Sequence, residues 1–252
     1  MAITFGMLGR YGRFANGLYQ IASTIGIAIR SGQSFGFPEW KNYDHLERFG
    51  SSEDIDVQKY FVNPLPSVDR SLSYESRFVH WGYHDTFLPV GNWDITGHLQ
   101  SPKYFNHCMD AVRHYMTMKD EYPLNNYCAI HWRAGDYLEG GDNVYHPRQT
   151  MEYYNKAMSH MPSGTKYLVF SDDLDKAREM FGDVEYYNAD YIDSFKKMKS
   201  CKYFIISNSS YSAMAATLAD QPGKIVVAPK MWFGRVAGIT GDAIYQDDWM
   251  VI

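Results

Sequence analysis

In the second half of the chain, short unbroken apolar runs alternate with segments whose apolar positions recur every three or four residues. The runs at 127–132, 167–170, 184–187, 203–206 and 225–228 predict strands. The segments at 150–161, 175–181, 194–200 and 211–218 predict helices; Pro147 and Gly164 flank the first, and Gly182 follows the second. Strand alternating with helix predicts a parallel sheet covered on both faces, with right-handed crossovers that bring the strands' C-terminal ends to one edge. The first half opens the same way. Residues 2–5 predict a strand, and Gly6, Gly9 and Gly12 a turn; Leu18, Ile21, Ala22, Ile25 and Ile29 then recur at helical spacing up to Gly32. Residues 38–102 are less periodic and predict short strands, turns and small helices, whereas Phe105, Cys108, Met109, Val112 and Met116 predict a helix over 104–118. A boundary near Pro123 gives two α/β halves, residues 1–122 and 123–252, with a ligand cleft expected between them.

Composition narrows the class. At 252 residues with 45% hydrophobic and 21% charged content, the chain has enough apolar material for packed cores. Its net charge of −5, with no basic stripe, argues against a nucleic-acid partner. Cys108, Cys128 and Cys201 are odd in number and widely spaced, which suits free thiols in a reducing compartment. No apolar run approaches the ~18 residues of a transmembrane span, and the N-terminus lacks a signal-peptide pattern. The expectation is a soluble, cytoplasmic protein beginning at Met1.

The chemistry gathers where apolar runs stop. CAIHWRAGDY, residues 128–137, releases His131, Arg133, Gly135 and Asp136. KYLVFSDD ends at Asp172 and Asp173, and KYFIISNSS at Ser207, Asn208, Ser209 and Ser210. In open α/β sheets ligands bind at that edge. An arginine fork suits phosphate, hydroxyls before a helix make an anion cradle, and the set suits a nucleotide diphosphate. Each element also has a plainer reading. Arg133 and Asp136 form an ion pair; His131 is a satisfied core histidine; Asp172 or Asp173 caps the next helix; SNSS is a run of helix caps. The glycine loop at 9–20, with Arg10 and Arg13, is either an anion site at a helix start or a structural turn, with Asn16 as the helix N-cap. Asp173 and Asp175 also spell the D-x-D arrangement of metal-dependent glycosyltransferases, a weak pattern among 29 acidic residues.

Seven ordered blocks carry a resemblance. GRFANGLYQIA (12–22) is similar to G-x-G-N-Q-[ML]-F-Q-Y-A, and GHLQSPKYF (97–105) to G-Y-x-Q-S-x-K-Y-F. HWRAGDY (131–137) matches H-x-R-x-G-D-Y, HPRQTMEYYNKAM (146–158) resembles a following segment with a YY pair, and FSDD (170–173) is identical. MKSCKYFIISNSSYS (198–212) is similar to M-S-x-C-x-H-x-I-x-A-N-S-S-F-S, and KIVVAPKMWF (224–233) resembles K-x-V-x-A-P-x-x-W-F. Together they resemble the α-1,2-fucosyltransferases of glycosyltransferase family 11, within the wider HxRxGD fucosyltransferase group. The chain departs from that pattern at Gly17, where the family has Gln, and at Ala213 and Met214, where it has two tryptophans.

The resemblance implies an α/β, GT-B-like fold: two Rossmann-like halves facing a cleft, the N-terminal one on the acceptor side and the C-terminal one binding the nucleotide sugar. It implies an inverting, metal-independent transfer of L-fucose from GDP-fucose to the 2-hydroxyl of a terminal galactose. No cofactor is expected; the partners are the GDP-sugar donor and a glycan acceptor. Arg133 would bind the β-phosphate and stabilise departing GDP, with His131 and Asp136 lining the donor pocket. Asp172, with Asp173 beside it, would lie on the nucleoside side. Ser209, Ser210 and Ser212, next to Asn208, would face the diphosphate. Asn16, with Arg13, would reach across from the N-terminal half. Candidate bases for the acceptor hydroxyl are Asp136, Glu139 and Asp142. Two other readings compete: a metal-dependent glycosyltransferase using Asp173 and Asp175, and a non-catalytic nucleotide- or carbohydrate-binding protein.

Overall fold

A computed structural model describes residues 1–10, 12–42, 55–79, 83–85, 88–134, 145–234, 238 and 240–252. It has two compact units, Met1–Lys119 and Asp120–Ile252.

The first unit is built on a four-stranded parallel sheet. β1 (Ala2–Thr4) sits between β2 (Ser34–Gly36) and β6 (Trp93–Thr96), and β5 (Glu75–Phe78) lies outside β6. β3 (Lys41–Asn42) and β4 (Ile55–Asp56) form a separate antiparallel pair. α1 (Phe14–Arg30) packs on β1 and β2, and also on the 3-10 turn Pro102–Tyr104 and on α2 (Met109–Met116). Because it is enclosed on several sides, polar Gln20, Ser23 and Thr24 are buried along with the predicted apolar face. Ser23 meets that demand by donating to Leu99 O at 2.8 Å, and Thr24 by donating to Gln20 O at 2.6 Å. Close approach requires glycine in mid-helix: a Cβ on Gly26 would lie 2.0 Å from the Tyr104 carbonyl oxygen. The helix predicted over 104–118 begins only at Met109. Phe105 (φ −133°) and Cys108 (φ −138°) leave the helical region, and buried Tyr104 and Phe105 pack from 3-10 turns instead.

The second unit carries a six-stranded parallel sheet in the order β12-β11-β10-β7-β8-β9. Its strands are β7 (Cys128–Trp132), β8 (Tyr167–Ser171), β9 (Glu185–Tyr186), β10 (Tyr203–Ile205), β11 (Ile225–Ala228) and β12 (Met250–Val251). Counted from its own first strand, and read from the β9 edge, this is the doubly wound Rossmann order 3-2-1-4-5-6. The chain runs outward from β7 to β9, then returns to β10 on β7's other side. The order therefore reverses between β7 and β10. β7 is buried throughout, which accounts for its unbroken apolar run. Cys128, Ile130 and Trp132 join one core cluster with Tyr154 and Ala157 of α3 (Met151–Ser159) and Ala177 of α4 (Leu174–Phe181). Strand alternation turns His131 to the opposite face, where its ring lies against Tyr211 of α6 (Ser210–Leu218). α5 (Tyr191–Lys199) starts earlier than its apolar spacing predicts, because Asp190 caps it by accepting from the N–H of Ile192 and Asp193.

All three cysteines are free thiols, with Cys128 and Cys201 buried. Among the described residues no helix is long and apolar enough to cross a membrane.

Candidate functional site

The strand order brings the polar ends of β7, β8 and β10 together. Register sets the first contact: Trp132 pairs with Ser171, so Arg133 and Asp172 leave the sheet side by side. Arg133 Nη1 donates to Asp172 Oδ2 at 2.8 Å, and Ala134 N–H donates to Asp172 Oδ1 at 2.8 Å. One carboxylate thus orients the guanidinium and holds the backbone turn that follows it. Both side chains keep partial exposure, 19% and 25%. A guanidinium has five N–H donors, so it can serve a carboxylate along one edge and an anion along another.

Behind Arg133, His131 is 5% exposed. Burial, with the Arg133 charge beside it, pushes its pKa down to about 3, so the ring is neutral at physiological pH. Its Nδ1 lies 2.8 Å from Ser207 Oγ and 2.9 Å from Ser212 Oγ. Ser209 caps α6, accepting from Tyr211 N–H at 3.4 Å, and the opening N–H groups of such a helix attract anions.

Two tyrosines close the sheet edge from beneath. Tyr154 OH donates to His131 O at 2.8 Å, and Tyr153 OH donates to Ile206 O at 2.6 Å, satisfying carbonyls at the strand ends. Buried Asn208 donates to Trp232 O at 2.9 Å and accepts from Gln149 Nε2 at 3.2 Å. Gln149 also reaches Met231 O at 3.1 Å. The loops entering α3 and leaving β11 are thereby tied to the tip of β10.

Asp172 is an ion-pair partner of Arg133. The plainer pairing with Asp136 falls outside the described residues, as do Glu139 and Asp142. The cap of α4 is Asp173, which accepts from Lys176 N–H and pairs with the Lys176 ammonium at 3.0 Å. Asp175 pairs with Arg178 at 2.8 Å. Both carboxylates of the D-x-D string thus face cations. Among the described residues no group of three or more His, Cys, Asp or Glu is placed to hold a metal ion. Ser212 is fully buried against His131. In the first unit α1 starts at Phe14 with Arg13 at the N-cap position, so Asn16 sits inside the first turn and is not the cap. Its side chain folds back on Gly12, whose φ of +88° makes the turn. Gly17 has a packing reason: its Cβ would lie 2.7 Å from the Trp40 indole, which stacks on Phe14 at 5.7 Å. Sequence reasoning assigned no role to Gln149, Tyr153, Tyr154 or Trp232; the HPRQTMEYY and APKMWF blocks were their signal.

Comparison with known proteins identifies the family and the fold. Residues 72–252 match the model of glycosyl transferase family 11. The chain is 34% identical over 137 residues to the O-antigen biosynthesis glycosyltransferase WbnK of Escherichia coli, covering 50% of this chain and 44% of WbnK. It is 27% identical over 168 residues to an α-1,2-colitosyltransferase of Escherichia coli, covering 58% of each. The matches thus span about half the length of these relatives. Among solved structures, the fucosyltransferase NodZ from Bradyrhizobium has a TM-score of 0.52 at 12% identity, over 86% of this chain and 92% of NodZ. POFUT1 in complex with GDP has a TM-score of 0.51 at 11% identity, over 90% and 97%. At such identities these two show the fold, which is GT-B-like. The chain belongs to glycosyl transferase family 11.

Proposed function

We propose that the protein is an inverting glycosyltransferase that moves L-fucose from GDP-fucose to a sugar hydroxyl, the 2-hydroxyl of a terminal galactose. One observation carries the reading: Arg133, braced by Asp172, leaves the sheet at the reversal between β7 and β10. That crevice is where a doubly wound sheet receives a nucleotide. Family membership and the likeness to the GDP-bound POFUT1 fold support a GDP-sugar donor.

The reaction breaks the bond between the sugar's anomeric carbon and the β-phosphate oxygen and forms one to the acceptor oxygen. The acceptor proton passes to a base, with Asp136, Glu139 and Asp142 as candidates. Charge grows on the diphosphate while the sugar becomes oxocarbenium-like. A guanidinium fixed before the reaction stabilises that charge without reorganising. His131, being neutral, adds a hydrogen-bonding group there and no second cation. The opening turn of α6 adds backbone dipoles. No metal enters this scheme, and Asp173 and Asp175 are engaged by Lys176 and Arg178.

Transfer from GDP-fucose to a galactose-terminated acceptor, with EDTA present and linkage analysis of the product, tests the reading. An α-1,2-linked fucosyl product formed undiminished in EDTA is expected. Activity lost in EDTA and restored by Mn²⁺ would favour the metal-dependent alternative.

A further inference from the structure

His131 Nδ1 is flanked by two hydroxyls, Ser207 Oγ at 2.8 Å and Ser212 Oγ at 2.9 Å. A neutral imidazole carries one proton, so Nδ1 is either the donor or the acceptor toward both. The hydroxyl protons decide between the two. Ser212 can donate to the Ser209 carbonyl, 3.4 Å away, as helix serines commonly do toward the preceding turn. Ser207 is 2% exposed, and among the described residues its side-chain hydroxyl has one hydrogen-bond partner, His131 Nδ1. A proton on Nδ1 would strand the Ser207 hydroxyl proton in the interior, and a buried unmade donor is costlier than a made bond is favourable. With Nδ1 as acceptor, both hydroxyl protons have somewhere to go.

We infer that Ser207 is a positioning residue that locks His131 in the Nε2–H tautomer, making Nε2 a hydrogen-bond donor on the same face of the chain as Arg133, two residues on. Nε2 has no hydrogen-bond partner among the described residues. A donor in this position selects acceptor oxygen, such as phosphate, over a hydroxyl that must itself donate. The neutral ring strengthens anion binding without adding a charge that departing GDP would have to leave. The ligand half of this inference rests on the proposed GDP donor; the tautomer half does not.

Long-range ¹H–¹⁵N NMR of ¹⁵N-histidine-labelled protein reads the tautomer directly, with the His131 signals assigned by their loss in His131→Gln. The parent protein is expected to show His131 neutral and protonated on Nε2. In Ser207→Ala only Ser212 remains, its proton divided between two acceptors, so the population moves toward Nδ1–H. GDP binding is then expected to weaken by roughly tenfold. Ser207→Thr restores a hydroxyl and returns both tautomer and affinity. His131 found protonated on Nδ1 in the parent, or unchanged in Ser207→Ala, would overturn the inference, and the parent spectrum needs no variant to fold. Failure of the parent to bind GDP would count against the donor reading, while the spectrum still decides this one.

Discussion

At the scale of single residues, the proposed function rests on one guanidinium and the carboxylate that braces it. Arg133→Lys keeps a positive charge but replaces a planar fork with a point charge that cannot serve Asp172 and a phosphate in the same geometry. Turnover is expected to fall by about 10²-fold, in the range of losing one preorganised charge-stabilising donor, while circular dichroism stays unchanged. Turnover close to that of the parent would remove the fork geometry from the mechanism. His131 gives a second expectation, through pH. Its folded pKa is depressed to about 3 from an ordinary 6.5, so at low pH the unfolded chain binds a proton that the folded protein refuses. Stability is therefore intact above about pH 6.5 and falls as pH drops toward 3, with a slope from this group of up to ~1.4 kcal/mol per pH unit. Urea unfolding between pH 7 and 5 is expected to show a smaller decline in His131→Gln, and an equal decline would contradict the burial of a neutral ring.

At the scale of elements, the regular second unit is legible in the sequence and the first only partly so. β7, β8, β10 and β11 announce themselves because strands buried on both faces read as unbroken apolar runs, and polar clusters mark the ends of the first three. The polar ends can be named from sequence, but their pairings cannot. Arg133 meets Asp172 because β8 is β7's neighbour in register, and Ser207 meets His131 because β10 is its neighbour on the other side. Neither adjacency is local in the chain. β2, β5 and β6 are three or four residues long, too short for periodicity to stand out. The start of α2 is misplaced by periodicity because the spacing of Phe105 and Cys108 fits a helix equally well. α1 offers a test in which propensity and packing have opposite signs. Gly26→Ala should stabilise an exposed helix by up to ~1 kcal/mol. Here the new Cβ would meet the Tyr104 carbonyl oxygen at 2.0 Å, so a destabilisation of about 1–3 kcal/mol is expected by chemical denaturation. A stabilised variant would show that α1 does not approach the 102–104 turn this closely.

At the scale of the whole molecule, the chain joins two compact α/β units, each with a parallel sheet. The second unit concentrates the chemistry, because there the strand-order reversal, the braced arginine, the capped α6 and the neutral histidine converge on one edge. The family model covers residues 72–252, and three of the blocks within it have a physical role in the second unit. FSDD braces the arginine, SNSS caps α6 and orients the histidine, and the YY pair closes strand-end carbonyls. A crystal structure with GDP bound is the most direct measurement of whether these roles serve one ligand. The diphosphate is expected within hydrogen-bonding distance of the Arg133 guanidinium, over the reversal between β7 and β10. A GDP held elsewhere on the molecule, with its phosphates out of reach of that side chain, would contradict the account.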